Sequence, residues 1–309
     1  MAPPESRPES HSELAERLRR HVDRLAGPIG PRHVGRPSAL DAAASLIERG
    51  LSESGYAVQR QPYRVHDVEV ANLIAEMPGT VPGAGIFILG AHYDTVETTP
   101  GADDNASAVA VMLEAARLLH GRQFRRAVRF VAFACEEPPH FYTGDMGSQV
   151  YARARRQRGD HIVGMLCLEM VGYFTDQPGT QQIPQAIPRL LRRAFPRRGN
   201  FLAAVGNFRS WRLAWSFRRG FKKATRFPLF SIVLPESVNA IRLSDNSSFW
   251  DQGYPALMLT DTSFLRNPHY HLPTDTPDTL DYSRMAQITP GIAGAIARLA
   301  GPAAPASTR

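Results

Sequence analysis

Two histidines and several acids stand at the ends of apolar runs in this chain, and their types suit the holding of divalent ions and the handling of a proton. His92 closes the segment Gly90-Ala91-His92-Tyr93-Asp94 after the run from Ile86 to Ala91. In an extended segment His92 and Asp94 point to the same side, so Asp94 can support whatever His92 holds. Asp103 and Asp104 open a helix expected from Ala106, close enough to His92 in sequence for a loop to fold Asp104 back to the same strand end. Glu136 and Glu137 follow directly on Val131-Ala132-Phe133-Ala134-Cys135. Two acids beside a core are costly unless something positive compensates them. A metal ion does so and divides the labour, one carboxylate ligating while its neighbour moves a proton.

Glu169 follows Leu166-Cys167-Leu168, and His271 lies in the segment from Asn267 to Thr276. Each signal has a plainer reading: a histidine at a strand end is often structural, acids at a helix start are often caps, and a Glu-Glu pair can be a solvated strand end. Together, two histidines and three carboxylates suit a pair of zinc-like ions with a bridging carboxylate and an open position for water. Three carboxylates against two divalent ions leave a net positive centre that would stabilise hydroxide.

The elements that must position these residues are legible as buried runs. Ile86 to Ala91, Val128 to Cys135, Val163 to Leu168 and Ala256 to Thr260 read as inner strands of a sheet covered on both faces. Ligands of such sheets gather beyond the carboxyl ends of the strands, where these polar residues fall. Helices are expected from Leu14 to Leu25, Ala39 to Ser54 and Ala106 to His120, with two strands between Tyr56 and Met77. Residues 1–12, rich in Pro, Glu and Ser, read as a disordered tail, and residues 13–302 as one domain. The stretch of about 175–240 is expected to be an insertion forming a lid or pocket wall.

The net charge of +7 comes almost wholly from arginine, since Lys222 and Lys223 are the only lysines among 36 basic residues. Arginines and aromatics interleave between Arg189 and Arg226, yet no nucleic-acid reader motif is present, so no nucleic-acid partner is expected. No run is long enough to span a membrane and no secretory leader opens the chain; the expectation is a cytoplasmic protein without a membrane partner. Cys135 and Cys167 sit inside apolar runs, which argues against a disulfide or a cysteine metal site.

The ordered series HYD, GADDNAS, FACEE followed by Gly147-Ser148, LEM, SDNSSF and YHLPTDT resembles the co-catalytic zinc aminopeptidases, family 28 of the metallopeptidases, from about Val70 to Leu280. The resemblance implies an α/β fold, a three-layer α/β/α sandwich with a mixed, largely parallel central sheet of the zinc peptidase or phosphorylase/hydrolase type. It implies two divalent ions, zinc with manganese or cobalt as alternatives, held by His92, Asp104, Glu137, Glu169 and His271. Asp104 would bridge, with His92 and Glu169 on one ion and Glu137 and His271 on the other. Glu136 corresponds to the general base, Asp94 supports the ligands from behind, and Tyr270 matches a tyrosine that in some members stabilises the oxyanion, though it can equally pack beside His271. Two positions depart from the family: Glu169 is most often aspartate there, and Asn246 stands where Ser-Asp-His is usual.

The reaction implied is removal of N-terminal residues from a peptide substrate. A bridging water gives its proton to Glu136 and attacks the carbonyl, and Glu136 then protonates the leaving amine. The aromatics of the insertion would wall the pocket for an apolar first residue, and its arginines, Arg209 and Arg212 among them, would receive the peptide carboxylate. Three alternatives share the resemblance: a glutaminyl-peptide cyclase, a dimeric-type metallo-carboxypeptidase or deacylase, and a metal-free receptor-like homologue.

Overall fold

The computed structural model describes residues 9–185, 187 and 191–303. Of the span expected as a tail, residues 1–8 lie outside the described residues. From Ser10 onward the chain is already organised, because Ser10 accepts from the Glu13 amide while the Glu13 carboxylate reaches back to the Ser10 amide. This reciprocal cap starts helix α1 (His11–Arg24) and satisfies two donors that a helix start leaves open. Leu14, Leu18 and Val22, spaced by four, are its buried stripe.

Eight strands form one sheet: β1 (Val58–Val65), β2 (Val68–Met77), β3 (Ile86–His92), β4 (Ala127–Phe133), β5 (Ile162–Glu169), β6 (Leu202–Asn207), β7 (Leu229–Leu234) and β8 (Ala256–Thr260). Their spatial order is β1-β2-β4-β3-β5-β8-β6-β7. The central four, β4-β3-β5-β8, run parallel, whereas β1, β2 and β6 break the pattern through antiparallel pairings. Parallel neighbours put His92, Phe133, Glu169 and Thr260 at one end of the sheet. The chemistry-bearing residues thus collect there because the strands that precede them are apolar on both faces and pair in parallel.

Two cores cover the sheet. One is built with α1, α2 (Pro37–Glu53), α3 (Ala108–Leu119), α5 (Trp211–Ala224) and α7 (Tyr282–Ala300); the other, smaller, with α4 (Gly147–Gln157) and α6 (Asn246–Asp251). The three-layer α/β arrangement expected from the resemblance is present. Helix α3 is buried nearly all round and carries Glu114, which accepts from Arg117 at 2.6 Å, His21 at 2.9 Å and Arg17 at 3.0 Å, tying α1 to α3. Helices α5 and α7 approach closely at Gly220, where a Cβ would stand 2.6 Å from Ala295 Cα. The segment expected as an insertion supplies β6, α5 and β7, so it extends the sheet by two strands. Among the described residues no helix is long and apolar enough to cross a membrane. Cys135 and Cys167 are buried free thiols.

Candidate metal centre

The five expected ligands converge beyond the carboxyl ends of β3, β4 and β5. His92 Nε2 lies 3.4 Å from Asp104 Oδ1 and 3.4 Å from Glu169 Oε2. His271 Nε2 lies 3.2 Å from Asp104 Oδ2 and 3.3 Å from Glu137 Oε2. One oxygen of Asp104 thus faces each histidine. Two ligands at about 2.05 Å from a tetrahedral ion stand roughly 3.3 Å apart, so both groups have the spacing that such an ion demands. Glu136 Oε2, at 3.8 Å from His92 Nε2, stands wider than that span and beside it.

The unsatisfied atoms test the fit of metal ions independently. Both ring nitrogens of His92, His271 Nε2, Asp104 Oδ1 and Glu137 Oε1 are buried without a hydrogen-bond partner. Buried polar atoms are rarely left so, and imidazole nitrogens beside carboxylate oxygens suit zinc or a similar divalent ion. Charge points the same way. Burial pushes Glu136 well above the ordinary carboxylate range and Glu137 up to about 8, with the neighbouring carboxylates adding to it. Burial also raises Glu169. Although burial opposes it, the surrounding carboxylates lift His92 well above its ordinary value and His271 to about 10. Against burial, His271 and His92 hold Asp104 low. Taken alone, the side chains gather protons to offset their acids; divalent ions would replace them.

Behind the ligands runs a set of clamps on the backbone. Asp94 accepts from the Glu136 amide and the Glu137 amide, both at 3.0 Å, and so fixes the backbone of both glutamates while standing 3.5 Å from His92 Nδ1. Asp275 does the same for the Asp103 and Asp104 amides, at 2.9 and 3.1 Å. Asn105 accepts from the Met170 amide at 2.9 Å and donates to the Leu168 carbonyl at 3.1 Å, gripping both sides of Glu169. Cys135, Met170 and His271 hold positive φ angles of 57°, 46° and 59°. Side chains make such conformations costly, so strain concentrates where the ligands are aimed.

Arg32, fully buried, donates to the carbonyls of Tyr93 (2.6 Å), Pro100 (2.7 Å), Gly101 (2.9 Å) and Gly30 (3.1 Å). It staples the loop after His92 to the loop before Asp104. Gly101 makes the second loop possible: its φ is +64°, and a Cβ there would lie 2.3 Å from the Asp104 carbonyl oxygen. Sequence reading passed over Arg32, since backbone carbonyls as partners leave no motif, and gave Asp275 no role although it stands inside YHLPTDT. Ser244, also passed over, donates to Glu169 Oε2 at 2.6 Å. Asp245 is fully buried, neither of its oxygens has a hydrogen-bond partner, and burial lifts it to about 7.

Tyr270 stacks on the His271 imidazole, with centroids 3.7 Å apart and planes 22° apart, and burial raises its phenol. It also lines an apolar cavity of about 110 Å³ that reaches Glu169. Phe195, Phe201, Phe230, Ile232, Met258 and Leu265 form much of its wall. Four of these, Phe195, Phe201, Phe230 and Ile232, come from the stretch of about 175–240 expected to form a pocket wall. No arginine lines the cavity among the described residues, which corrects the expectation for Arg209 and Arg212. They lie just beyond β6, which runs antiparallel to β8, and therefore at the end of the sheet away from Glu169 and Thr260. His269 bonds to Thr274 Oγ1 at 3.0 Å and joins neither ligand group.

Known proteins resemble this chain along most of its length. The chain is 35% identical over 285 residues to YfbL, an uncharacterized protein of Escherichia coli, covering 90% of this chain and 86% of that one. It is 28% identical over 251 residues to leucine aminopeptidase 1 of Arthroderma otae, covering 76% of this chain but only 59% of the fungal protein. Among solved structures, the LapA aminopeptidase of Legionella pneumophila superposes with a TM-score of 0.72 at 19% identity, over 95% of this chain and 74% of its own. BSAP, a zinc aminopeptidase of Bacillus subtilis, gives 0.71 at 17% over 91% and 94%, and a glutaminyl cyclase of Fimbriiglobus ruber gives 0.64 at 21% over 91% and 94%. These structural likenesses establish a shared fold. Residues 72–296 match the model of peptidase family M28, and the chain belongs to that family.

Proposed function

We propose that this chain is an aminopeptidase that uses two divalent ions, zinc foremost, and prefers an apolar first residue. The observation that carries the reading is Asp104, shared at 3.2 and 3.4 Å between two histidine-carboxylate groups, with the Glu136 carboxylate free beside them. When bound, the ions would lower the pKa of a water and polarise the scissile carbonyl. Among the described residues the Glu136 carboxylate makes no side-chain hydrogen bond, and it takes the proton of the attacking water and returns it to the leaving amine. The Tyr270 phenol, kept protonated by burial, is a donor for the oxyanion. The cavity beside Glu169 and Tyr270 takes the first side chain, and its aromatic and aliphatic wall favours leucine- or phenylalanine-like residues.

Metal analysis of the purified protein, together with release from leucyl, phenylalanyl, aspartyl and N-acetyl-leucyl p-nitroanilides, tests the reading. Two ions per chain and chelator-sensitive release from the free apolar substrates are expected. Equal release from the blocked substrate, or release that survives complete metal removal, would sink it. A second reading is cyclisation of an N-terminal glutamine. The buried, unpaired Asp245 offers a further proton-handling carboxylate, and glutaminyl cyclases share the fold. Glutaminyl peptides distinguish the two, since cyclisation liberates ammonia and aminopeptidase action liberates the amino acid.

A further inference from the structure

We propose that the outer face of α5 is a docking surface for an anionic phospholipid bilayer. This departs from the sequence expectation of no membrane partner, and it is independent of the metal centre. Helix α5 is amphipathic: Leu213, Ala214, Phe217 and Phe221 are buried against the core, and the opposite face is open. On that face Trp211 and Trp215 are 55% and 54% exposed, with Phe208 at 60% just before the helix. At roughly 100° per residue, Trp211, Trp215, Arg218, Arg219 and Lys222 fall within about one hundred degrees of the helix circumference. Aromatics of this size seldom stay open on a soluble surface without a partner.

Charge says what the partner is. From Gln177 to Pro235 the chain contains no acidic residue, while both of its lysines and ten arginines lie there. Among the described residues, none of Arg209, Arg212, Arg218, Arg219, Lys222 and Lys223 forms an ion pair with a carboxylate, in contrast to Arg17, Arg60, Arg117, Arg129 and Arg242 elsewhere. The cleft at the end of α5, with Lys222, Lys223, Arg226 and His11, has no acid in its lining either. Unneutralised cations interleaved with indole rings on a convex helix match an interface that is anionic at its surface and apolar just beneath. Nucleic acid fits less well, because stacking of bases needs open aromatic faces. Here Arg212 lies over Trp211 at 5.2 Å and Arg219 over Trp215 at 4.6 Å, leaving the ring edges to enter headgroups.

Phe208 and Trp211 follow the carboxyl end of β6, at the sheet end opposite Glu169, and α5 runs back from there along one face of the sheet to the start of β7. The surface and the candidate metal centre share no residue.

The test uses the full chain with vesicles of phosphatidylcholine alone and of phosphatidylcholine with equal phosphatidylglycerol. The protein should cosediment with the phosphatidylglycerol vesicles, lose that binding as salt rises, and shift its tryptophan emission to the blue on binding. W211S/W215S should abolish the shift and weaken binding at least about tenfold. R218Q/R219Q/K222Q/K223Q should weaken it by more than about a hundredfold, each cation near such a surface being worth a factor of roughly five. Both variants should keep the metal content of the parent, which shows that they are folded. Absence of binding to phosphatidylglycerol vesicles at low salt overturns the proposal. So does binding that neither variant weakens, or binding to a single-stranded oligonucleotide that displaces the vesicles and depends on the same tryptophans.

Discussion

Among the proposed ligands Glu169 is the one whose length departs from the residue the family resemblance implies, and shortening it gives a calculable perturbation. In E169D the carboxylate retreats by one carbon–carbon bond, about 1.5 Å. Its span to His92 Nε2 would grow from 3.4 Å to nearly 5 Å, well beyond the roughly 3.3 Å between two ligands of one tetrahedral ion. The bond from Ser244 at 2.6 Å would be lost as well. The backbone cannot follow, since Asn105 holds the Leu168 carbonyl and the Met170 amide on either side. One ion should therefore bind about 10- to 100-fold more weakly, or about 1.4 to 2.7 kcal/mol, while the ion between Glu137 and His271 stays tight. Titration against a chelator of known affinity, followed by metal analysis, would resolve one tight and one weakened site in E169D. Two ions bound with the parent's affinities would refute the reasoning that the clamps dictate ligand length.

Three further expectations follow from the described contacts. E136Q should retain both ions but lose about 100- to 10,000-fold in turnover, and near-normal hydrolysis by a metal-replete E136Q would remove Glu136 from its role. Burial would raise Glu114, yet His21, Arg17 and Arg117 hold it down to about 2 against an ordinary 4.5, so its stabilisation is complete above about pH 4.5 and disappears as the pH falls towards 2. That difference corresponds to about 3 kcal/mol; urea unfolding from pH 7 to 3 should show it in the parent and a flatter profile in E114Q. G220A should lower the urea midpoint by a stability loss of about 1–3 kcal/mol, since its methyl would meet the Ala295 backbone on α7, and an unchanged midpoint would show that the two helices can part without cost.

How far the sequence could be read depended on how each residue is held. His92, Glu137 and Glu169 were legible because each stands at or just beyond the end of an apolar run, and an unpaired charge in that place needs an explanation. Inner strands announced themselves by being apolar throughout. The edge pair β6–β7 did not: β7 is half-buried along its length and follows a stretch whose arginines mask any alternation. Arg32 was hidden for a different reason, since its partners are carbonyls that every residue carries. Arg209 and Arg212, expected to receive the peptide carboxylate, are carried to the far end of the sheet by the antiparallel pairing of β6 with β8, which the sequence does not announce.

The proposed ligands are drawn from His92, Asp104, Glu137, Glu169 and His271, so the proposed centre closes only when the last of them arrives. His92 and Glu169 end β3 and β5, Glu137 follows β4 and Asp104 lies in the turn before α3, yet Glu137 and Asp104 lack their histidine until the chain beyond β8 has folded back. A fragment cut within the arginine-rich stretch therefore lacks His271, and with it the histidine that faces Asp104 and Glu137.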